Sequence, residues 1–257
     1  MKSTRILIKF PTRSRPEKFK SVLSKYADYL SGKHDVRFVI TMDEDDGSMN
    51  TAEMRAFLDD MAKLVSLVYH YGNSKTKVEA VNADMEGEAA DILLLASDDM
   101  VPEVKGYDDI IVTDMVRYFP DFNGALNYHD GYRKEHKQSL MTLAVLGWPL
   151  YKEWGYIYYP EYESLYADEE QTEVCRRTGR LVDLPQCIIR HQWPDESDHD
   201  DLMKRNANDV MYAKDGAVFK YRKKRRFGIN TLSARCYRLF HLRFGMRGIS
   251  NDGKSYG

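Results

Sequence analysis

The run DILLLASDDM, residues 91–100, sets an apolar stretch, Ile92 to Ala96, directly against two carboxylates, Asp98 and Asp99. Adjacent acids at the end of a buried strand are costly unless positive charge meets them. A divalent metal carrying phosphate oxygens is the common answer, because such ions take one or two carboxylates and leave other positions to water and substrate. The same residues also read as a polar strand-to-loop transition in which an Asp caps the next turn. The second chemical feature is charge. Ten of the chain's 38 Lys and Arg, and none of its 40 Asp and Glu, fall between Lys220 and Arg247, so an acidic body carries a basic tail although the formal net charge is −2. Such a tail suits a polyanion or an anionic membrane surface, or it folds back onto the acidic body as a solvated helix.

The elements that would position the acids alternate between strand and helix through the first half. Strands are expected at Arg5 to Phe10, Val36 to Met42, within Leu64 to Tyr71 and at Ile92 to Ala96. Helices are expected from Pro16 to about Leu30, from Thr51 to Lys63, and over the segment carrying Val78, Val81 and Met85. That alternation predicts an α/β fold with a mostly parallel central sheet, and ligands in such sheets bind at the carboxyl ends of the strands. The second half predicts a helix within Val112 to Phe119, strands at Gly124 to His129 and Leu140 to Leu146, and a turn at GWPLY. A helix opens at Asp168, with Gln171 completing a capping box, and ends near Gly179. A late strand covers Leu181 to Arg190, and a polar helix covers Asp198 to Tyr212.

At 257 residues the chain reads as one large domain with an appendage: 1–195, divided into 1–105 and 106–195, followed by a helical, basic extension at 196–257. No stretch is long and apolar enough to span a bilayer, and the N-terminus MKSTRILIKF reads as a first strand and not as a signal peptide. Cys175, Cys187 and Cys236 have neither metal spacing nor an even count, which fits a reducing cytoplasm and argues against a zinc module.

Five loops follow predicted strands at one end of the sheet, each with its own chemistry: PTRSRP (11–16), DEDDGS (43–48), GNSKTKVEAVN (72–82), SDDM (97–100) and His191. Their order and spacing resemble GT-A glycosyltransferases, particularly the large family 2-like group. In that group a TYNRP-like loop and a DDGS-like loop hold the nucleotide, a Gly/Lys/Ala/Asn-bearing helix start lies near the donor, and a DXD motif carries the metal. The resemblance implies a GT-A, Rossmann-like sheet with helices on both faces. It also implies a metal-dependent, inverting transfer of a sugar from a nucleoside diphosphate sugar, UDP favoured, to an acceptor hydroxyl. The chain departs from the pattern at one place: Ala96 stands where the first Asp of DXD belongs, so Asp98 matches the second.

By that resemblance Pro11, Thr12, Arg13, Arg15, Asp43, Lys75, Lys77, Asn82 and Asp98 are expected at the nucleotide sugar, with Asp45 or Asp46 as alternatives to Asp43. Asp98 and His191, with Asp99 as a further candidate ligand, are expected to hold Mn2+ or Mg2+, imidazole favouring Mn2+. Asp168 is the expected general base, with Glu169 and Glu170 behind it. A carboxylate at a helix N-terminus is favoured by the helix dipole, which suits a base, although Asp168 also reads simply as an N-cap. Trp148 and Trp193, together with His129 and Asp130, are candidates for the acceptor side; the last two also read as a buried structural pair.

FNGALNYHDGY (122–132), GYIYYPEY (155–162), DEEQTEV (168–174) and IIRHQWP (188–194) are similar to phage and bacterial glycosyltransferases. Some phage members glycosylate hydroxymethylated pyrimidines in DNA and others alter surface glycans. The tail YRKKRRFGIN (221–230), with Arg222, Lys223, Lys224, Arg225 and Arg226, mixes cations with rings as nucleic-acid grooves do. Because the nearest resemblance is to phage proteins, it implies a 5-hydroxymethylpyrimidine in duplex DNA as the slightly favoured acceptor. A glycan or lipid-linked saccharide at the inner membrane face is the alternative, reached by the same tail lying on the lipid surface. A non-catalytic nucleotide-sugar-binding protein and a sugar-1-phosphate nucleotidyltransferase remain outside glycosyl transfer; the latter lacks its Gly-rich N-terminal signature.

Overall fold

The computed structural model describes residues 3–132, 140–192 and 200–229. The first half follows the expected alternation: β1 (Arg5–Pro11), α1 (Pro16–Asp28), β2 (Asp35–Asp43), α2 (Ala52–Met61), β3 (Ser66–Gly72), α3 (Lys77–Asn82) and β4 (Ile92–Leu95). Pro16 opens α1, where its missing N–H costs nothing, and Thr51 caps α2 by accepting from Met54 N. The second half contains β5 (Met100–Pro102), α4 (Tyr107–Tyr118), β6 (Ala125–Tyr128), β7 (Val145–Gly147), α5 (Trp148–Trp154), α6 (Ala167–Thr178), β8 (Leu181–Leu184), β9 (Ile189–His191), α7 (Asp201–Asn206) and α8 (Asp209–Lys224).

Seven strands form one sheet in the order β3-β2-β1-β4-β7-β6-β8. Only β7 runs against its neighbours; β1, β2, β3 and β4 pair in parallel, as do β6 and β8. The central strands are apolar on both sides, because both faces are covered. Ile6, Ile8 and Phe10 point into a layer built by Phe19, Leu23 and Tyr26 of α1, Leu58 of α2, and Ile111 and Met115 of α4. Leu7, Val39 and Leu93 point the other way, into Val78 and Val81 of α3, Leu150 of α5, Cys175 of α6 and Phe219 of α8. The α/β architecture with a mostly parallel sheet and helices on both faces is therefore as expected.

Four local expectations are corrected. GWPLY does not turn the chain: Pro149 sits in the first turn of α5, where proline is tolerated. The strand expected from Leu140 shrinks to Val145–Gly147, since the Met141 amide donates to Thr172 Oγ1 in α6 and not to a neighbouring strand. The late strand breaks at Pro185 into β8, in the main sheet, and β9, which pairs antiparallel with β5 in a separate two-stranded sheet. The polar helix is two helices, because Asn208 caps α8 through Met211 N. Of the helical, basic extension expected at 196–257, residues 196–199 and 230–257 lie outside the described residues.

Candidate active site

The acidic turn leaves β4 at the carboxyl edge of the sheet. Ala96 N donates to Lys9 O at 2.8 Å, and Met100 N donates to Ser97 O at 3.1 Å, closing a tight turn that delivers the chain into β5. The pairing of β5 with β9 sets Met100 opposite His191. His191 N donates to Asp130 O at 2.8 Å and Gln192 N donates to Asp99 O at 2.7 Å, so the imidazole is fixed beside the turn with Nε2 3.7 Å from Asp99 Oδ2. Burial alone would raise the Asp99 carboxyl, but His191, the Ser97 hydroxyl and the charge of Lys77 outweigh it and hold the group well below the usual carboxylate range. Asp98 faces elsewhere. Its Oδ1 accepts from Arg15 Nη1 at 2.7 Å and its Oδ2 from Thr12 Oγ1 at 3.3 Å. Burial pushes the Asp98 carboxyl above its ordinary value against the pull of Arg15, and the charge of Asp99 adds to the rise.

Among the described residues no three His, Cys, Asp or Glu side chains converge as a metal cage. The expected set of Asp98, Asp99 and His191 is corrected in that sense: the two carboxylates turn to different partners. The donor chemistry still fits a hard divalent cation that brings most of its own oxygens. Asp98 offers a desolvated carboxylate at the sheet edge, and the Asp99–His191 pair stands beside it.

The loops after β1, β2 and β3 are tied to one another by charge. Pro11 ends β1, and Thr12 N donates to Thr41 O. Arg13 reaches Asp43 at 2.8 Å and Asp45 at 2.6 and 3.1 Å. Asp43 is buried and also accepts from Ser74 N at 3.0 Å, which joins the second loop to the third. Asp46 has a structural role: it accepts from Ser14 N at 2.6 Å and from Ser48 Oγ at 2.6 Å. Ser14 itself is held at φ 61°, so its amide is aimed by a strained turn. Lys75 and Lys77 are exposed at the start of α3, and Thr76 caps that helix. Asn82 is committed to the fold: its Oδ1 accepts from Ile157 N and Tyr158 N, and its Nδ2 donates to Tyr158 O.

On the far side, α6 runs antiparallel to β8, which follows it, so its N-terminus faces the edge that carries the acidic turn. The helix begins one residue earlier than expected. Tyr166, at φ 61° and without a side-chain cap, precedes Ala167, and Asp168 lies within the first turn with its Oδ1 accepting from Glu169 N. The capping box is therefore absent; Gln171 instead donates to Ile157 O. Glu170 does not stand behind Asp168. It is buried, accepting from Tyr162 Oη at 2.7 Å and from Arg222 Nη2 at 2.6 Å. Burial raises Glu169, while Lys223 opposes the rise.

Arg222 consequently leaves the proposed polyanion patch. Its guanidinium packs 3.4 Å from the Tyr159 ring centroid. Lys223, Lys224, Arg225 and Arg226 remain exposed, as does Tyr221, on whose ring Arg225 lies at 3.8 Å. Trp148 is also displaced from its expected place. Its amide donates to Asp91 O at the amino end of β4, so it lies at the opposite edge of the sheet from Asp98. His129 and Asp130 shape backbone: His129 Nδ1 accepts from Gly131 N, and Asp130 Oδ1 accepts from Tyr132 N. Trp193 lies outside the described residues. Two residues with no distinguishing sequence signal close the site. Asp200, the cap of α7, grips Arg15, and Arg205 donates to Lys75 O at 3.1 Å.

No protein-family model matches the sequence, and no curated protein matches it. Solved structures do resemble the fold. A mannosyltransferase from Pyrobaculum calidifontis, solved with GDP-Man and Mn2+, is 14% identical at a TM-score of 0.61, covering 76% of this chain and 58% of that one. Residues 1–349 of S. aureus TarS, solved with UDP-GlcNAc, are 12% identical at 0.61, covering 81% and 64%. Glucosyl-3-phosphoglycerate synthase from Mycobacterium tuberculosis, solved with Mn2+, UDP and phosphoglyceric acid, is 12% identical at 0.53, covering 83% and 79%. This chain thus spans about three fifths of the length of the first two. Among the described residues no helix is long and apolar enough to cross a membrane. With its mostly parallel seven-stranded sheet and helices on both faces, the chain has the GT-A fold.

Proposed function

We propose that this chain is a glycosyltransferase that moves a sugar from a nucleoside diphosphate sugar, UDP favoured, to an acceptor hydroxyl, using Mn2+ or Mg2+. One observation carries the reading: a buried carboxylate, Asp98, stands at the carboxyl edge of a GT-A sheet, met by Arg15 and Thr12, and the adjoining Asp99 has His191 and the charge of Lys77 beside it. A divalent cation bound there would neutralise the leaving diphosphate as a Lewis acid and template. The chain's own groups would do the rest. Asp43, fixed by Arg13 and Ser74 N, presents a carboxylate edge to the nucleotide base. Arg15, Lys75 and Lys77 meet phosphate oxygens, the arginine through Nη1 alone, because Asp200 holds its Nε and Nη2, and the lysines as point charges.

Asp168 is the general base of this reading. It stands half-buried in the first turn of α6, beside Tyr158, at the end of the helix that lies toward the carboxyl edge of the sheet. It would take the acceptor proton while the hydroxyl oxygen attacks the anomeric carbon from the face opposite the diphosphate, which inverts that centre. The finer assignment is an acceptor carried by a polyanion. The exposed cluster Lys223, Lys224, Arg225 and Arg226 around Tyr221 supports 5-hydroxymethylpyrimidine in duplex DNA, ahead of a lipid-linked saccharide on an anionic membrane. The test is release of nucleoside diphosphate from UDP-sugars with Mn2+ and hydroxymethylated duplex. Release only with glycan or lipid-linked acceptors would replace the DNA assignment. Nucleotide-sugar binding with no release under any condition would leave a binding protein.

A further inference from the structure

Arg15 lies between two carboxylates. Its Nη1 donates to Asp98 Oδ1 at 2.7 Å, while Nε and Nη2 form a two-point fork on Asp200 at 2.6 and 2.8 Å. The guanidinium therefore covers an oxygen of the very carboxylate that the donor reading assigns to a divalent cation. Two cations on one carboxylate repel, so one must give way. The Arg15 side chain is only 12% exposed, and a displaced guanidinium in such a place needs another counter-charge. Asp200 already supplies it. The carboxylate is delivered by α7, and Arg205, near the other end of that helix, donates to Lys75 O and acts electrostatically on Asp45. The helix thus lies across the loops that follow β1, β2 and β3.

We infer that Arg15 competes with the divalent cation for Asp98, and that Asp200 is the positioning residue that retains Arg15 when the cation takes its place. The inference rests on the donor-site reading above. It has a directional consequence. A cation alone must strand Arg15 Nη1 without an acceptor, whereas a diphosphate arriving with the cation offers Nη1 a phosphate oxygen. Metal and nucleotide then bind cooperatively, and Arg15 is the group that couples them.

The test is direct titration of free Mn2+ by electron paramagnetic resonance on the full chain, with and without UDP. Arg15→Gln should bind Mn2+ alone about fivefold or more tighter than wild type and should lose most of the enhancement by UDP. Asp200→Asn keeps a good N-cap for α7 but removes the charged fork, so Mn2+ should bind about fivefold weaker, with or without UDP. Asp200→Glu should restore much of the loss. Weaker Mn2+ binding in Arg15→Gln would overturn the competition, and unchanged binding in Asp200→Asn would reduce Asp200 to a helix cap. Should Arg15→Gln fail to fold, the Asp200 pair decides the matter. Failure of the wild type to bind Mn2+ in the presence of UDP would instead sink the donor-site reading, and this inference with it.

Discussion

Arg222 Nη2 lies 2.6 Å from Glu170 Oε1, with the two side chains 15% and 5% exposed, so the start of the basic tail is stitched into the body through α6. Removing one partner of such a pair strands the other charge. Arg222→Ala should therefore lower the unfolding free energy by about 3 kcal/mol or more in urea titration. Replacing Lys224, Arg225 and Arg226 together by Ala should leave stability within roughly 0.5 kcal/mol per site. The same triple change should weaken retention on duplex DNA and flatten its salt dependence. Unchanged retention, with wild-type protein instead floating on anionic liposomes, would favour the membrane assignment.

Asp168→Asn should abolish sugar transfer while nucleotide binding persists, because the amide cannot accept the acceptor proton. A loss of 10²-fold or more in turnover is expected for a general base. Near-normal turnover in this variant would remove Asp168 from the mechanism.

Asp215 in α8 is fully buried and accepts from three consecutive amides, Glu163 N, Ser164 N and Leu165 N, at 3.0, 2.9 and 2.7 Å. That segment leads directly into Tyr166 and the first turn of α6. Asp215→Ala leaves three amides without acceptors and should cost about 3 kcal/mol or more in urea titration.

Lys9 gives a pH signature. Its ammonium is completely buried on β1, donating to Thr41 Oγ1, with Asp84 at 4.0 Å. Burial lowers it from its ordinary 10.5 to about 8, with Asp84 opposing the shift. The folded value lies below the unfolded one, so this group's contribution is present above pH 10.5 and is lost as pH falls to about 8, below which it is flat. The stability difference between wild type and Lys9→Met should therefore change by about 3 kcal/mol across that window. Calorimetry at several pH values would show it, and a difference that stays constant from pH 7 to 10.5 would contradict the burial of a titrating amine.

The first half of the fold was legible because β1, β2 and β4 carry aliphatic and aromatic residues on both faces along their middle residues, Lys9 and Thr41 excepted, and each intervening helix shows its own periodicity or cap. Pro16 and Thr51 announce α1 and α2. The second half was harder, because its decisive interactions are not periodic. Pro185 divides one apolar run between two sheets, and the Met141 amide is drawn off by a threonine in α6. In the site, Asp98 and His191 stood out by their place after strands. Asp200 carried no such mark, since it reaches Arg15 across 185 positions of sequence. Trp148 was misplaced because its strand runs antiparallel, which carries the end of that strand to the opposite edge of the sheet. Glu170 and Arg222 pair through tertiary packing across 52 positions, which no local pattern marks.

The donor site itself is tested most directly by a thermal shift with UDP, with and without Mn2+, on wild type and on Asp98→Asn. Ligand at ~100-fold excess over its dissociation constant adds about 2.7 kcal/mol, and each kcal/mol moves the midpoint of a chain this long by roughly 2–4 °C. The predicted result is an upward shift with UDP that depends on Mn2+ in the wild type and disappears in Asp98→Asn. No shift with UDP or any other nucleoside diphosphate, or a shift equal in the two proteins and indifferent to Mn2+, would contradict a metal-assisted diphosphate site at Asp98.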